Sequence, residues 1–275
     1  MASTVDQVRI AAELGVSRHF DAATEIARRT TFVAEYVRSA AAQTLVLGIS
    51  GGVDSTVTGL LCQRAVEQLR SEGLQVRFIA MRLPYGIQAD EADAQRALTF
   101  IAPDQTLSVD VKPASDAALA ALKAGGMRYT DAFHEDFVLG NIKARQRMIA
   151  QYAVAGATGG LVVGTDHAAE ALMGFFTKFG DGGCDIAPLS GLTKRRVRAI
   201  ASALGADASL AGKIPTADLE SLQPQRPDEA ALGVSYDDID DFLEGLPVKL
   251  APSQLIVATY RRTAHKRALP AVPSA

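Results

Sequence analysis

The chain has 275 residues and a mass of 29.0 kDa, with 48% hydrophobic and 21% charged residues, a globular composition that excludes a wholly disordered or coiled-coil chain. Its 28 Lys and Arg against 31 Asp and Glu leave a net charge of −3, without the basic excess expected of a protein that lives on bulk nucleic acid. Two cysteines, Cys62 and Cys184, are too few for a disulfide scaffold or a Cys-rich zinc site. No run approaches the ~20 apolar residues of a membrane span. Residues 1–13 lack the apolar segment of a signal peptide, so a cytoplasmic protein is expected.

In chain order, Ala22, Ile26, Val33, Val37 and Ala40 recur at helical intervals and predict an amphipathic helix over 21–42. QTLVLGIS at 43–50 reads as a buried strand, and 53–70 as a helix with Cys62 as a small buried hydrophobe. A strand at 75–82, a helix at 89–101, a strand at 106–111 and a helix at 114–124 follow. The rhythm resumes with a helix at 141–157, a strand at 160–164, a helix from His167 to Met173, and a helix at 193–204 with Thr193 as its N-cap. Residues 206–233 hold Gly212, Pro215, Pro224 and Pro227 and show no period, which predicts an irregular, mobile lid. The acidic run 237–241 reads as the solvated start of a helix, and 253–267 as a last helix with a basic end.

Strands alternating with helices predict an α/β fold: a doubly wound parallel sheet of about five strands with helices on both faces. Residues 1–275 are read as one domain, with a helical segment at 1–42. Ligands in such sheets bind at the carboxyl ends of strands, where the strand order reverses.

The loop Gly48-Ile49-Ser50-Gly51-Gly52-Val53-Asp54-Ser55 leaves a strand and opens a helix. Its glycines let successive N–H groups face one anion, and the helix N-terminus adds its unpaired donors. No Lys follows the glycines, so it is not a Walker A loop, and the spacing is not G-x-G-x-x-G. Asp54 is its only carboxylate and the natural Mg²⁺ ligand. A second cluster lies in GTDHAAEALMGFFTKFGDGGCDIAPLSGL at 164–192. Glu170 sits one turn beyond Asp166 and His167 and can face the same pocket. Asp54 and Glu170 together suit a cation that takes one or two carboxylates plus phosphates. His167 reads first as an orienting residue and second as a catalytic one.

The loop resembles the SGGxDS signature of the N-type ATP pyrophosphatases, which cleave ATP between the α and β phosphates. The segment 164–194, with RLPYGIQAD at 82–90, GNIKARQRM at 140–148, Lys213–Leu219 and His265-Lys266, resembles the ammonia-dependent NAD⁺ synthetase family. That resemblance implies ATP-dependent amidation of deamido-NAD⁺ through an adenylate, with NAD⁺, AMP and pyrophosphate as products. It implies ATP contacts at Gly48, Ser50, Gly51, Gly52, Val53, Asp54, Ser55, Arg82, Gln88, Thr165, Lys194 and Thr216. It implies Mg²⁺ on Asp54 and Glu170, and deamido-NAD⁺ contacts at Arg145, Lys178, Asp185, His265 and Lys266. Asp181, Lys194 and Asp54 become the catalytic candidates, with Asp181 placed to hold or deprotonate ammonium. A homodimer with interfacial dinucleotide sites is also implied.

Fewer than 50 residues precede the phosphate loop, too few for an amidase domain, so free ammonia is the expected nitrogen source. The competing readings are a tRNA-modifying ATP pyrophosphatase and a nucleotide-binding sensor. The first would want paired cysteines and a basic surface; the second would not need Glu170, Asp181 and Lys194.

Overall fold

The computed structural model describes residues 4–273 apart from 87–89, 214, 218 and 225. The chain runs α1 (Thr4–Glu13), α2 (Ala22–Ser39), β1 (Thr44–Gly48), α3 (Val53–Ser71), β2 (Arg77–Arg82), α4 (Glu91–Ile101), β3 (Gln105–Ser108) and α5 (Lys112–Ala124). It continues through α6 (Ala132–Thr158), β4 (Gly160–Val162), α7 (Ala168–Met173), α8 (Lys194–Ala203), α9 (Ala208–Ala211), β5 (Thr216–Ala217) and β6 (Arg226–Pro227). Four helices close it: α10 (Asp228–Leu232), α11 (Tyr236–Glu244), α12 (Leu250–Arg262) and α13 (Ala264–Arg267).

The main sheet is parallel, in the order β3-β2-β1-β4. It has four strands among the described residues, against the expected five; the next segment, at Ile186, makes only a single parallel bridge to Val163. Side chains alternate across the strands. Leu45, Leu47, Phe78 and Ala80 pack against α2, α3 and α4 on one face. Val46, Ile79, Met81 and Val162 face Ala155 of α6 on the other. Both faces are covered, as a parallel sheet requires. Cys62 is buried in the first of these layers, as expected.

From β1 the chain steps outward through β2 to β3, then returns to lay β4 on the opposite edge of β1. The order therefore reverses between β1 and β4. The phosphate loop after β1 and the segment after β4 leave the sheet side by side, at the crevice where such folds bind ligands.

Three regions differ from expectation. Helix α6 begins nine residues before 141, capped by Asp131, which accepts the His134 N–H at 2.8 Å. Its first turns expose Phe133 and Phe137 and bury Asp136, so hydrophobic patterning conceals them. Segment 206–233 is not structureless: α9, the antiparallel β5–β6 pair and α10 lie within it. The run 237–241 is not uniformly solvated either. Asp240 is buried and accepts the Lys194 N–H at 3.0 Å and the Arg195 N–H at 2.6 Å. It thus holds the first turn of α8, whose N-cap is Thr193 as expected.

Candidate active site

The phosphate loop is shaped by one glycine in particular. Gly51 has φ +87°, and a Cβ there would stand 2.6 Å from the Ala94 backbone nitrogen at the start of α4. Only glycine tolerates both the conformation and the approach. Gly52 then caps α3 in extended backbone. The Gly52 N–H donates to Ser50 Oγ at 3.2 Å, and the Ser50 and Ser55 hydroxyls lie 3.2 Å apart. Gln151 of α6 accepts the Gly48 N–H at 2.9 Å and fixes where the strand ends. Arg82, buried at the end of β2, donates to the Ile49 carbonyl and to Glu91 Oε2 at 2.8 Å. It braces the loop from beneath.

At the helix start, Asp54 Oδ2 accepts a hydrogen bond from Lys194 Nζ at 2.6 Å. Lys194 is 1% exposed and comes from the first turn of α8. His167 caps α7: its Nδ1 accepts the Glu170 N–H at 3.4 Å, so the proton sits on Nε2. That Nε2 lies 3.6 Å from both Asp54 Oδ1 and Glu170 Oε2. One ligand atom from each of Asp54, His167 and Glu170 lies within 4.8 Å of the other two.

Electrostatics divides these groups. Burial works against ionisation of Asp54, but the charge and hydrogen bond of Lys194 outweigh it and hold the carboxyl below its usual range. Burial would lower the Lys194 ammonium; the carboxylates of Asp54 and Glu170 overcome this and raise it. Glu170 is pushed well above the usual range by burial and then by the Asp54 charge. Burial takes His167 down to about 3, so it is neutral. One ammonium thus stands against two carboxyls, of which Asp54 is the one held in its charged form. Asp54 Oδ1 is buried without a hydrogen-bond partner. An orphaned carboxylate oxygen beside a second buried carboxyl fits a divalent cation, which would satisfy the first and offset the crowding of negative charge at the second.

A cleft of about 580 Å³ opens over this cluster. Gly48, Ser50, Gly52, Val53, Asp54, Ser55, Arg82, Thr165, Glu170, Asp181, Lys194, Thr216 and Lys266 all line it. Gly51 lies beneath it against α4, and Gln88 lies outside the described residues. Asp181 accepts the Thr177 N–H at 2.8 Å, and burial raises its carboxyl. Burial also takes neighbouring Asp166 up to about 7, helped by the charges of Asp181 and Asp54. Lys266 reaches this wall from the C-terminal segment and donates to the Gly174 carbonyl at 2.5 Å.

The remaining dinucleotide candidates do not line the cleft. Arg145 donates to the Lys178 carbonyl at 3.3 Å, and Lys178 Nζ to the carbonyls of His265 and Ala268 at 2.6 and 2.9 Å. Asp185 accepts the Val162 N–H at 2.7 Å and the Tyr152 hydroxyl at 3.3 Å. Sequence reasoning missed Tyr236, whose ring lies 5.3 Å from Lys194 Nζ and whose hydroxyl donates to Asp228 Oδ2 at 3.2 Å. It also missed Gln151 and Lys143 on α6. All are ordinary in sequence and become informative only through what they touch.

The NAD synthase family model matches residues 25–270. The NH(3)-dependent NAD(+) synthetase of Burkholderia pseudomallei is 65% identical over 261 residues, covering 95% of this chain and 92% of that one. The protein of the same name from Streptomyces coelicolor is 63% identical over 272 residues, covering 99% of each. A crystal structure of NAD⁺ synthetase from B. pseudomallei superposes with a TM-score of 0.85 at 61% identity, over 97% of both chains. With a phosphate loop and a carboxylate–lysine cluster at the switch point of its sheet, this chain belongs to the NAD synthase family.

Proposed function

We propose that the chain amidates deamido-NAD⁺ with ammonia at the expense of ATP, giving NAD⁺, AMP and pyrophosphate. The observation that carries this reading is the buried Lys194–Asp54 pair beside Glu170, under a glycine loop with no P-loop lysine. A carboxylate is a poor acyl donor because its oxygen leaves badly. The nicotinate carboxylate attacks the α-phosphorus of ATP, and pyrophosphate leaves. Ammonia then attacks the acyl carbon, and AMP leaves with the bridging oxygen.

The N–H groups of Gly51 and Gly52, with Ser50 and Ser55, hold phosphate oxygens in this scheme. Gly48 and Val53 supply backbone on either side of them. Arg82 keeps the loop in shape, and Gln88, Thr165 and Thr216 complete the ATP site. Lys194 places a fixed positive charge where charge develops in transfer, and a donor in a closed site needs no reorganisation as the reaction proceeds. Asp54 and Glu170 hold Mg²⁺, which when bound neutralises phosphate charge. Asp181, its carboxyl raised by burial, binds ammonium and accepts its proton. Segment 206–233 covers the cleft as a lid and keeps water from the adenylate.

Arg145, Lys178, Asp185, His265 and Lys266 grip deamido-NAD⁺ at a rim completed by a second subunit. What supports a homodimer is α6. Phe137, Arg145, Ile149 and Tyr152 fall within about 120° of the helix circumference, and Phe137 and Ile149 are 55% and 52% exposed. Apolar residues left on one helix face around a substrate-binding arginine suit a subunit contact. A cytoplasmic location agrees with the reaction; no helix among the described residues is long and apolar enough to cross a membrane.

Deamido-NAD⁺ labelled with ¹⁸O in its carboxylate tests the chemistry. One labelled oxygen should appear in the phosphate of AMP. Unlabelled AMP formed alongside NAD⁺ would contradict an acyl adenylate.

A further inference from the structure

Helix α6 is packed inside out. Over its first half the buried residues are Asp136, Gly140, Lys143 and Ala144, while Phe133 and Phe137 are exposed. Burying a carboxylate and an ammonium is costly unless each is well bonded, and packing alone would favour leucine. The bonds they make run to two loops. Lys143, 2% exposed, donates from Nζ to the Leu219 carbonyl and to Ser221 Oγ, each at 2.8 Å. Asp136 Oδ1 and Oδ2 accept the Ser221 and Leu222 N–H groups at 3.0 and 2.7 Å. Gly140, between them on the same face, lets Leu219 approach: a Cβ there would stand 3.2 Å from the Leu219 carbonyl oxygen.

The same ammonium faces a second loop. Lys143 Nζ stands 4.0 Å from the ring centroid of Tyr85, in the stretch that leaves β2. That ring is held from its other end, where the hydroxyl donates to Asp116 and Lys112 Nζ lies 4.7 Å from the centroid. One turn further along α6, Arg147 donates to the Leu83 carbonyl at 2.9 Å. Lys143 therefore touches both flaps of the cleft, residues 83–86 and 219–222.

We propose that Lys143 is a positioning residue that latches these two loops together over the cleft, so that the activated carboxyl meets ammonia and not water. An ammonium suits the task because it can serve a carbonyl, a hydroxyl and an aromatic face together. Both loops are then held to one rigid helix and close as a unit. The idea rests on the adenylate mechanism proposed above. If the latch loosens, water adds to the acyl carbon, the C–O bond to phosphate breaks, AMP leaves with that electron pair, and the carboxylate returns with release of a proton. The net reaction is ATP + H₂O → AMP + pyrophosphate, with no NAD⁺ made.

The test uses Lys143→Met, which keeps the aliphatic stem and removes the donors and charge. With ATP, Mg²⁺, deamido-NAD⁺ and limiting ammonium, the wild type should make AMP and NAD⁺ one to one, and the variant at least three AMP per NAD⁺. Lys143→Arg should return the ratio towards one. Hydrogen exchange of the substrate-free full chain should show the amides of 219–222 opening at least tenfold faster in Lys143→Met. Tyr85→Leu releases only the first loop; it should raise the ratio in the same direction and serves if Lys143→Met does not fold. A purely structural lysine would lower the folded fraction without changing either readout. An unchanged ratio or an unchanged exchange rate overturns the latch. If the wild type makes no NAD⁺ at all, the proposed reaction has failed, and the exchange measurement still judges whether Lys143 holds the loop.

Discussion

Lys194 Nζ lies 2.6 Å from Asp54 Oδ2 and joins the first turn of α8 to the first turn of α3. Removing the ammonium should cost activity out of proportion to stability, because it leaves two carboxyls that can share a proton. Lys194→Met should lower kcat by about 10²–10³, the loss typical of a transition-state donor, while calorimetry still detects ATP. Glu170→Gln, on the other side of Asp54, should keep the fold and raise the Mg²⁺ needed for half-maximal rate about tenfold or more. Near-normal turnover in the first variant, or an unaltered Mg²⁺ requirement in the second, would remove these residues from the proposed roles.

Gly51 and Gly73 share a left-handed backbone, φ +87° and +91°, but a Cβ at Gly51 meets Ala94 at 2.6 Å while one at Gly73 meets nothing within 4 Å. Gly73→Ala should cost only the backbone strain, about 1 kcal/mol. Gly51→Ala adds a collision with α4 that must move the phosphate loop. It should lose more stability in denaturant titration and raise the KM for ATP at least tenfold. Equal behaviour of the two variants would mean that the approach to α4 does not shape the loop.

Glu25 and Arg29 set the acid limit of one helix contact. Arg29 is buried, donates to Glu25 Oε2 at 2.8 Å and also bonds the carbonyls of Pro188 and Ser190. Burial acts to raise the Glu25 carboxyl, but the bond from Arg28 and the charge of Arg29 outweigh it and hold it low. A depressed carboxyl stabilises the fold above its unfolded pKa, about 4.3, and that stability is lost as pH falls through the folded value. Glu25→Gln should be less stable than wild type by about 2 kcal/mol at pH 7. The gap should narrow as pH falls below about 4. Parallel stability curves from pH 7 to pH 3 would be incompatible with this pairing.

Ile149, 52% exposed on α6, should be covered in the proposed homodimer. Ile149→Asp should shift the sedimentation coefficient from dimer to monomer. It should also raise the KM for deamido-NAD⁺ more than that for ATP, because in the proposed arrangement only the dinucleotide site reaches the subunit boundary. A variant that remains dimeric would place the interface elsewhere.

The strand–loop–helix frame around Asp54 was legible because its signals are local. A buried β-run, glycines at a turn and a helix start all lie within ten or so residues. The neighbourhood of Asp54 and Glu170 was legible too, since both follow parallel strands that prove adjacent. What stayed hidden depends on partners distant in sequence. Asp240 looked like solvated charge until α11 placed it at the start of α8. The N-terminal turns of α6 reverse the usual pattern, burying Asp136 and exposing Phe133. Segment 206–233 looked structureless because its order comes from contacts with α6 and α4, such as Lys213 with Asp93 at 2.7 Å, and not from its own periodicity. Lys178 and Asp185 read as substrate contacts by motif; their bonds to the His265 carbonyl and the Val162 N–H join segments that no local pattern connects.

Incubating the purified chain with ATP, Mg²⁺, ammonium and deamido-NAD⁺, then measuring NAD⁺, AMP and pyrophosphate over time, decides whether the chain is the proposed synthetase. The proposed reaction gives equal amounts of the three, no NAD⁺ when ammonium or ATP is omitted, and loss of all three products in Asp54→Ala. ATP bound but never cleaved, or AMP formed without NAD⁺ at saturating ammonium, would contradict it.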